Sequence, residues 1–468
     1  MIAATPMSIP GLADADQAAL SALVNQLSAK SARNALRRRY YDHKNALRDL
    51  GIAIPPSLRT VETVVGWPAK SVDVLARRVY LEGFYLAGGG EVAPLGVDVL
   101  VDENRILTEF PQATTSALIH SAAFLTVTAG DVAAGEPEAI VMARSAQYAT
   151  GIWDARRRGL SSGLSIVSVD KTGRPDHMVL YLPNRAVIIR KDGARWDLRQ
   201  SVHDLGIPME PMPFRPELDR PFGHSRISRA VMALTDSAVR TLLRTEVSAE
   251  FFAAPQRYAL GADGETFIDA DGAPIPAWQA IIGRLLAIGR DEDGNVPTVG
   301  QFAQQSMAPH IEQMRSLASL LAAESDLMPD TLGVIQDNPS SAEAIDARKE
   351  ELRLTAESCI STFGGALERT MRRALRTIDD SPAARAEYAR LRSRFRNPAT
   401  PSMAAAADAT VKLVGAGVLS PTSEVTYDGM NFTEDQRETL RAEARQARST
   451  SLIAGLASAA SAPDAVAV

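Results

Sequence analysis

The sequence predicts an α+β fold that is mainly helical, and three observations support this prediction. Apolar residues recur at the spacing of an α-helix over residues 13–50, 225–252, 307–325 and 340–376. Between residues 122 and 199 the apolar pattern changes toward the two-residue period of β-strands. With 46% hydrophobic residues and a net charge of -6, the composition excludes a disordered chain and a protein that coats nucleic acid through a broad basic face.

The first predicted helix covers residues 13–50 and ends at Gly51. Its apolar side chains, such as Leu20 and Leu27, recur every three or four residues. The basic side chains between them form a strip, which consists of Arg33, Arg37, Arg38, Arg39, Lys44 and Arg48. We interpret this strip as a solvated helix face or, alternatively, as a contact for an anion or another subunit.

Further helices are predicted before the strands begin. They cover residues 57–82, 102–110 and 112–121. The pair Gly83-Phe84 is expected to end the first of them. The segment Gly88-Gly89-Gly90 predicts a turn, and it does not match a phosphate-binding loop because no Lys-Ser or Lys-Thr pair follows it.

A β-rich layer is predicted from short runs of apolar and β-branched residues with turn residues between them. These runs are residues 124–127, 140–143, 165–169, 178–181 and 186–189. Residues 206–224 contain five prolines and therefore predict an extended strap rather than a strand or helix.

Two long helices, residues 225–252 and 307–325, flank an insert that spans residues 256–303. Inside the insert, Tyr258-Ala259-Leu260 predicts a strand and Trp278 to Ile288 a short helix. In this arrangement the first helix would lead away from the rest of the protein and the second would lead back to it. The insert between them would then be held at a distance as a small module. The outer helix faces then need neighbours, which favours a ring or bundle of copies. The alternative is an ordinary helical hairpin within a monomer.

A break at residues 327–339 precedes the longest predicted helix, residues 340–376. Ser340-Ser341-Ala342-Glu343 matches a capping box at its start. Gly364 and Gly365 lie inside this helix, and a glycine pair is a recognised cause of a helix kink. Beyond this helix, residues 381–398 form a basic segment that is predicted to end in a strand. Two further helices are predicted at residues 402–419 and 433–448.

No catalytic motif is present in the sequence. P-loop, dinucleotide-binding and nucleophile-elbow patterns are absent. The single cysteine, Cys359, excludes a disulfide within the chain and is expected to be a buried thiol. Neither a secretory signal nor an apolar run long enough to cross a bilayer is visible. A structural protein without cofactors is predicted; the alternatives are a nucleic-acid-modifying enzyme that binds metal through Asp326, Asp330 and Glu343, or another structural or scaffold component.

Several segments resemble portal proteins of tailed phages, and the closest resemblance is to the SPP1-like group found in phages of actinobacteria. The segments that carry the resemblance are Asn34–Asp42, Gly51–Pro56, Val65–Asp73, Phe222–Ser228, Arg244–Phe252 and Asn338–Ile345. They are spread over most of the chain, while residues after 400 contribute nothing to it.

The resemblance implies a ring, usually of twelve subunits, at one vertex of the capsid, with double-stranded DNA passing through its centre. The implied segments are a wing (1–224 with 377–400), a stem (225–252 and 304–326), a clip (253–303), a tunnel loop (327–339), a tunnel helix (340–376) and a crown with the C-terminal tail (401–468). Within this scheme, we expect Gln336, Asp337 and Asn338 to face the DNA, and Gly364 and Gly365 to let the tunnel helix bend.

The resemblance also implies the partners of the ring. These are other copies of the chain, the major capsid protein, the large subunit of the terminase and a head–tail adaptor protein. The family has no catalytic residues and no cofactor, since the separate terminase hydrolyses ATP. The implied location is the virion, with assembly in the host cytoplasm and no contact with a membrane.

Overall fold

The computed structural model describes most of the chain in two compact units, Met1–Pro398 and Ala399–Val468. The described residues are 8–45, 62–193, 195–253, 257–260, 298–301, 306–334, 342–399, 403–430 and 432–460. Across these ranges, no helix is long and apolar enough to cross a membrane.

Helix α1 (Asp14–Tyr41) packs through Leu20, Leu23 and Leu27 on the sheet formed by residues 149–202. The prediction of a helix to residue 50 is wrong, because α1 ends at Tyr41. The chain turns there: His43 has a left-handed φ of 59°, and the Lys44 amide donates to the Arg39 carbonyl at 2.8 Å. Gly51, the predicted end of the helix, lies outside the described residues.

The next helices are α2 (Trp67–Ala76), α3 (Val97–Glu103) and α4 (Ile106–His120). Within the described residues, the predicted helix over residues 57–82 is confirmed only for Trp67–Ala76: residues 62–66 are not helical, and a strand, β1 (Leu81–Leu86), contains the predicted stop Gly83-Phe84. This strand pairs with Leu391–Phe395, a partner more than 300 positions later that local pattern cannot reveal. The helix predicted at residues 102–110 includes the break between α3 and α4, and its part from Ile106 onward is continuous through Pro111 with the helix predicted at residues 112–121.

The β-layer forms two antiparallel sheets. The smaller contains β2 (Ala122–Ala129), β3 (Ala139–Ser145) and a strand at Met209–Pro213; the larger is a meander of β4 (Ala149–Asp154), β5 (Gly159–Val169), β6 (Pro175–Leu182), β7 (Arg185–Asp192) and β8 (Arg195–Val202). All five predicted strands are confirmed, whereas β4, β8 and Met209–Pro213 were not predicted. The last of these, β9, is the edge of its sheet and pairs only with β2, so its prolines are tolerated.

The predicted helical hairpin is confirmed. Helix α5 (Arg229–Ala253) packs along α6 (Ala308–Glu324), and the short strands β10 (Arg257–Leu260) and β11 (Thr298–Gln301) pair antiparallel beyond them. The strand at Tyr258-Ala259-Leu260 is therefore confirmed. The predicted helix at residues 278–288 lies outside the described residues.

Helix α7 (Ala342–Ile378) is followed by α8 (Pro382–Tyr388) and β12 (Leu391–Phe395). The apolar side of α7 lies in the main core of the first unit, against the smaller sheet, β12 and the hairpin base. The prediction of one long helix is thus confirmed, and α8 was not predicted. The capping residues Ser340 and Ser341 lie outside the described residues.

The second unit consists of α9 (Met403–Gly415), α10 (Glu424–Gly429) and α11 (Glu434–Ala460). The side chain of Arg437 is buried and pairs with Asp428 at 2.5 Å, which fixes α11 beside α10. The two predicted helices of this region are confirmed. The short α10 was not predicted, and α11 extends well beyond residue 448.

Candidate functional site at the base of the helical hairpin

The base of the hairpin is held by Arg226, which lies just before α5 and whose side chain is only 4% exposed. Its Nε donates to the Ser71 carbonyl at 3.0 Å, and its Nη1 donates to Asp326 Oδ2 at 3.0 Å. Its Nη2 donates to the Ser325 carbonyl. One guanidinium therefore joins α2, the start of α5 and the end of α6.

Asp326 connects this centre to the longest helix. Its Oδ2 also accepts a hydrogen bond from Thr355 Oγ1 of α7 at 3.3 Å. Asp326 has a left-handed φ of 51°, which is a strained conformation for a residue other than glycine. The contacts to Arg226 and Thr355 hold that turn in place, so the chain leaves α6 in a fixed direction.

Burial lowers the pKa of Arg226, although the negative charge of Asp326 acts in the opposite direction. An unpaired guanidinium at this position would be costly, because a buried charge needs a partner. Burial raises the pKa of the Cys359 thiol on α7 to about 12, although the nearby positive charge of Arg226 acts in the opposite direction. The prediction of a buried Cys359 is confirmed.

Two serines add a second set of contacts around the first turn of α5. Ser225 Oγ donates to the Ile119 carbonyl of α4 at 2.6 Å and accepts from the Ile227 amide at 3.0 Å. Ser228 Oγ donates to Glu324 Oε1 of α6 at 3.0 Å. Together with Arg226, these bonds fix the direction in which the hairpin leaves the body.

The C-terminal half of α7 is attached to the smaller sheet through a buried carboxylate. Glu210 on β9 is 8% exposed. It pairs with Arg373 Nη1 at 2.6 Å and with Arg369 Nε at 3.1 Å. Arg373 also donates to the Leu205 carbonyl at 3.2 Å. A rotation of α7 about its axis would break these bonds.

Gly364 and Gly365 occupy different environments on α7. A Cβ atom at Gly364 would lie 2.9 Å from both Phe395 Cε2 and Ser393 Oγ, so glycine is needed there for close packing on β12. At Gly365 the nearest atom is Arg369 Nη1 at 3.4 Å, the far end of a flexible side chain. The helix is continuous through both residues. Bending at this pair stays a prediction.

The other predicted channel residues, Gln336, Asp337 and Asn338, lie outside the described residues. The acidic residues of the enzyme alternative do not form a metal site within the part of the chain that the structure describes. Asp326 is engaged by Arg226, and Asp330 lies in a short 3-10 turn, Pro329–Leu332. Glu343 lies at the start of α7, with its side chain outside the described residues.

Sequence reasoning missed the Arg226–Asp326 pair and the Glu210 contacts. The residues of the first pair are 100 positions apart, and Glu210 is 159 positions from Arg369. No local spacing could have indicated either contact. The one signal near them was Phe222–Ser228, which contains Arg226 and carried part of the family resemblance.

Comparison with known proteins identifies the family. A family model described as phage portal protein, SPP1 Gp6-like, matches residues 21–450. The portal protein of Mycobacterium phage L5 is 28% identical over 446 residues, which cover 92% of this chain and 90% of that protein. The portal protein of Mycobacterium phage D29 is 29% identical over 412 residues, with coverages of 86% and 83%.

Among solved structures, a chain from the neck of the native GTA particle, computed with C12 symmetry, aligns with a TM-score of 0.42 and 15% identity. The alignment covers 78% of this chain and 90% of that chain. The names of the related sequences describe portal proteins and no catalytic activity. Because the family match extends over most of the sequence, the chain belongs to the SPP1 Gp6-like family of phage portal proteins.

Proposed function

We propose that this portal protein assembles into a ring of about twelve copies at one capsid vertex, and that double-stranded DNA is packaged and ejected through the centre of the ring. Family membership supports this function. The physical observation that carries it is the helical hairpin: α5 and α6 pack along each other, continue into the paired strands β10 and β11, and are fixed at their base by Arg226.

The surface of α6 supports assembly. Its buried face consists of Ala318, Leu321 and Ala322, which leaves most of the helix circumference exposed. Ile311 and Leu320 are 51% and 58% exposed. Nine residues apart, they lie roughly 180° apart around the helix at 3.6 residues per turn. Ile311, seven residues before the buried Ala318, lies on the same side of α6 as the buried face, whereas Leu320 lies on the outer side, where an exposed apolar residue fits a contact with a neighbouring copy.

We assign the segments of the chain according to the scheme that the family resemblance implies. Residues 1–224 and 377–400 form the wing, in contact with the major capsid protein. The stem is residues 225–252 and 304–326, and it carries the clip, residues 253–303, where the terminase large subunit and then the head–tail adaptor dock. Residues 401–468 form the crown. The protein resides in the virion after assembly in the host cytoplasm.

A sliding function accounts for the charge of the chain. Each phosphate neutralised by a lysine or arginine adds salt-dependent affinity, so a densely basic channel would hold DNA in place. The net charge is -6. The tunnel loop, residues 327–339, would touch the DNA weakly through Gln336, Asp337 and Asn338, and the tunnel helix, residues 340–376, would follow its movements.

Size-exclusion chromatography with light scattering, followed by negative-stain imaging, tests the ring. The expected particle is many times heavier than the 50.1 kDa chain and has an axial hole. Leu320→Glu on α6 should reduce assembly, because it places a charge in the subunit contact. Val202→Glu, at a residue that is 76% exposed on β8, is the control. A protein that stays at the mass of one chain at every concentration tested contradicts the proposal.

A further inference from the structure

A cavity of about 230 Å³ lies in the first unit between α1, the beginning of β2, β4 and residues 219–223. Its lining has two chemical characters. Leu27, Phe124 and Phe222 are apolar, whereas Lys30, Arg33 and Arg220 are cationic. A cavity with this lining suits a small group that combines negative charge with an apolar stem.

The cations around this cavity have no carboxylate partners among the described residues. In that part of the chain, Arg220 Nη1 lies 3.1 Å from His224 Nδ1 and Arg37 Nη1 donates to the His120 carbonyl at 3.3 Å, but neither these two cations nor Lys30 and Arg33 pair with a carboxylate. Asp219 also lines the cavity without pairing with any of them. Burial, with a further contribution from the charges of Arg33 and Arg220, lowers the pKa of Arg37 to about 10, so these cations destabilise one another's charged forms. An anion bound among these groups would relieve the repulsion.

The walls of the cavity are fixed before any ligand binds. Gly223 has a left-handed φ of 64°, and a Cβ atom there would lie 2.0 Å from the Phe214 carbonyl oxygen. The neighbouring Phe222 ring packs on Phe124, with centroids 6.0 Å apart, and under the Lys30 ammonium, 5.1 Å from the centroid. On the opposite wall, Gln26 Nε2 donates to the Gly151 carbonyl at 2.8 Å. Such preorganisation reduces the entropic cost of binding.

A buried histidine contributes a polar group to the lining. His120 is 3% exposed, and burial, with the charges of nearby arginines, lowers its pKa to about 3, so it is neutral at physiological pH. Its Nε2 lies 3.1 Å from Gln147 Nε2, while its Nδ1 has no hydrogen-bond partner in the described part of the chain. Ser121, the next residue, lines the cavity with a strained φ of 84°.

We propose that this cavity binds a compact oxyanion, a phosphate or carboxylate group, which Lys30, Arg33 and Arg220 hold. A water molecule occupies about 30 Å³ in the liquid, so the cavity has room for such a group but not for a DNA duplex. The oxyanion comes either from free phosphate or from an acidic side chain of a second copy of the chain. The second source rests on the proposed ring.

Titration calorimetry of the unassembled full-length chain with inorganic phosphate, at constant ionic strength set with chloride, tests the site. Saturable binding at one site per chain is expected. Arg33→Gln should raise the Kd about tenfold or more, because it removes a charged hydrogen-bond donor. Arg39→Gln is the matched control, since Arg39 is also exposed on α1 but does not line the cavity.

The same titration on assembled rings distinguishes the two sources. Binding that persists in the ring identifies free phosphate as the ligand, whereas binding that is lost on assembly identifies a carboxylate of a neighbouring copy. The proposal is overturned by unassembled chains that take up no phosphate, or by Arg33→Gln and Arg39→Gln chains with equal Kd values. Phosphate binding is measured on the unassembled chain, so a lack of binding there can be distinguished from a failure of the chain to form a ring.

Discussion

Arg226 and Asp326 meet at the base of the helical hairpin, with Nη1 and Oδ2 3.0 Å apart, although 100 positions separate them in the chain. Arg226 precedes α5 and Asp326 follows α6, so this one ion pair joins the two ends of the hairpin. Bonds to Ser71 and Thr355 attach the same point to α2 and α7. The hairpin base is therefore connected to α7 through Asp326.

The first prediction concerns this pair. Arg226→Met should lower the free energy of unfolding by about 2–4 kcal/mol, because it leaves Asp326 and two carbonyls without their donor; the 24% exposure of Asp326 keeps the loss below that of a fully buried pair. Urea denaturation measures the change. Arg157→Met, which removes an exposed ion pair with Asp154, should cost less than about 1 kcal/mol. Equal losses in the two variants would contradict this account.

The second prediction separates two adjacent glycines on α7. Gly365→Ala should raise the thermal midpoint by about 2 °C, since alanine favours a helix over glycine and only the end of Arg369 must move. Gly364→Ala should lower the midpoint, because its methyl group would collide with Phe395 and Ser393. Differential scanning calorimetry of both variants gives the signs. If both substitutions raise the thermal midpoint, close packing against β12 does not explain why glycine occupies position 364.

The third prediction is a pH dependence that arises from His120. Its pKa is about 3 in the folded protein and near 6.5 when unfolded, so the unfolded chain binds the extra proton between these values. This contribution to stability is complete above pH 6.5 and is lost as the pH falls toward 3. From pH 7.5 to pH 5 the wild type should lose about 2 kcal/mol more than His120→Gln. Parallel urea titrations at the two pH values test this difference, and equal losses would refute it.

The fourth prediction concerns the tunnel loop. Shortening residues 333–338 should impair DNA packaging or the retention of packaged DNA, because the proposed weak contact with the duplex is lost. The measurement is the DNA content of purified heads assembled with the variant. Intact heads filled to the normal extent would count against a role for Gln336, Asp337 and Asn338.

Helices were predicted well where one face is continuously buried. In α6, the apolar residues at helical spacing predicted the helix correctly, although Leu321 is buried whereas Ile311 and Leu320 are exposed. The same reasoning failed for residues 77–82, because apolar residues there continue the pattern while the backbone from Leu81 onward pairs with β12. Pairing with a strand that is distant in the sequence overrides the local preference for a helix when it provides hydrogen-bond partners for backbone N–H and C=O groups that a helix end would leave unsatisfied.

Proline content misled the prediction of β9. Five prolines in residues 206–224 favour an extended strap, and Met209–Pro213 is indeed extended, but it also pairs with β2. An edge strand can lack amide donors on its outer side, so sequence alone cannot distinguish it from a strap. Glu210 is positioned by this strand, which is why the anchor of α7 escaped prediction as well.

The sequence by itself determined the helical hairpin with its insert, the long helix behind it, the absence of recognisable catalytic motifs and the family resemblance, because periodicity and short motifs are local properties. Only the tertiary structure decided that Arg226 pairs with Asp326, that Gly364 accommodates Phe395, and that cations without a carboxylate partner in the described part of the chain line one cavity. These relationships join residues far apart in the chain. They depend on distances and burial, which exist only once the chain has folded.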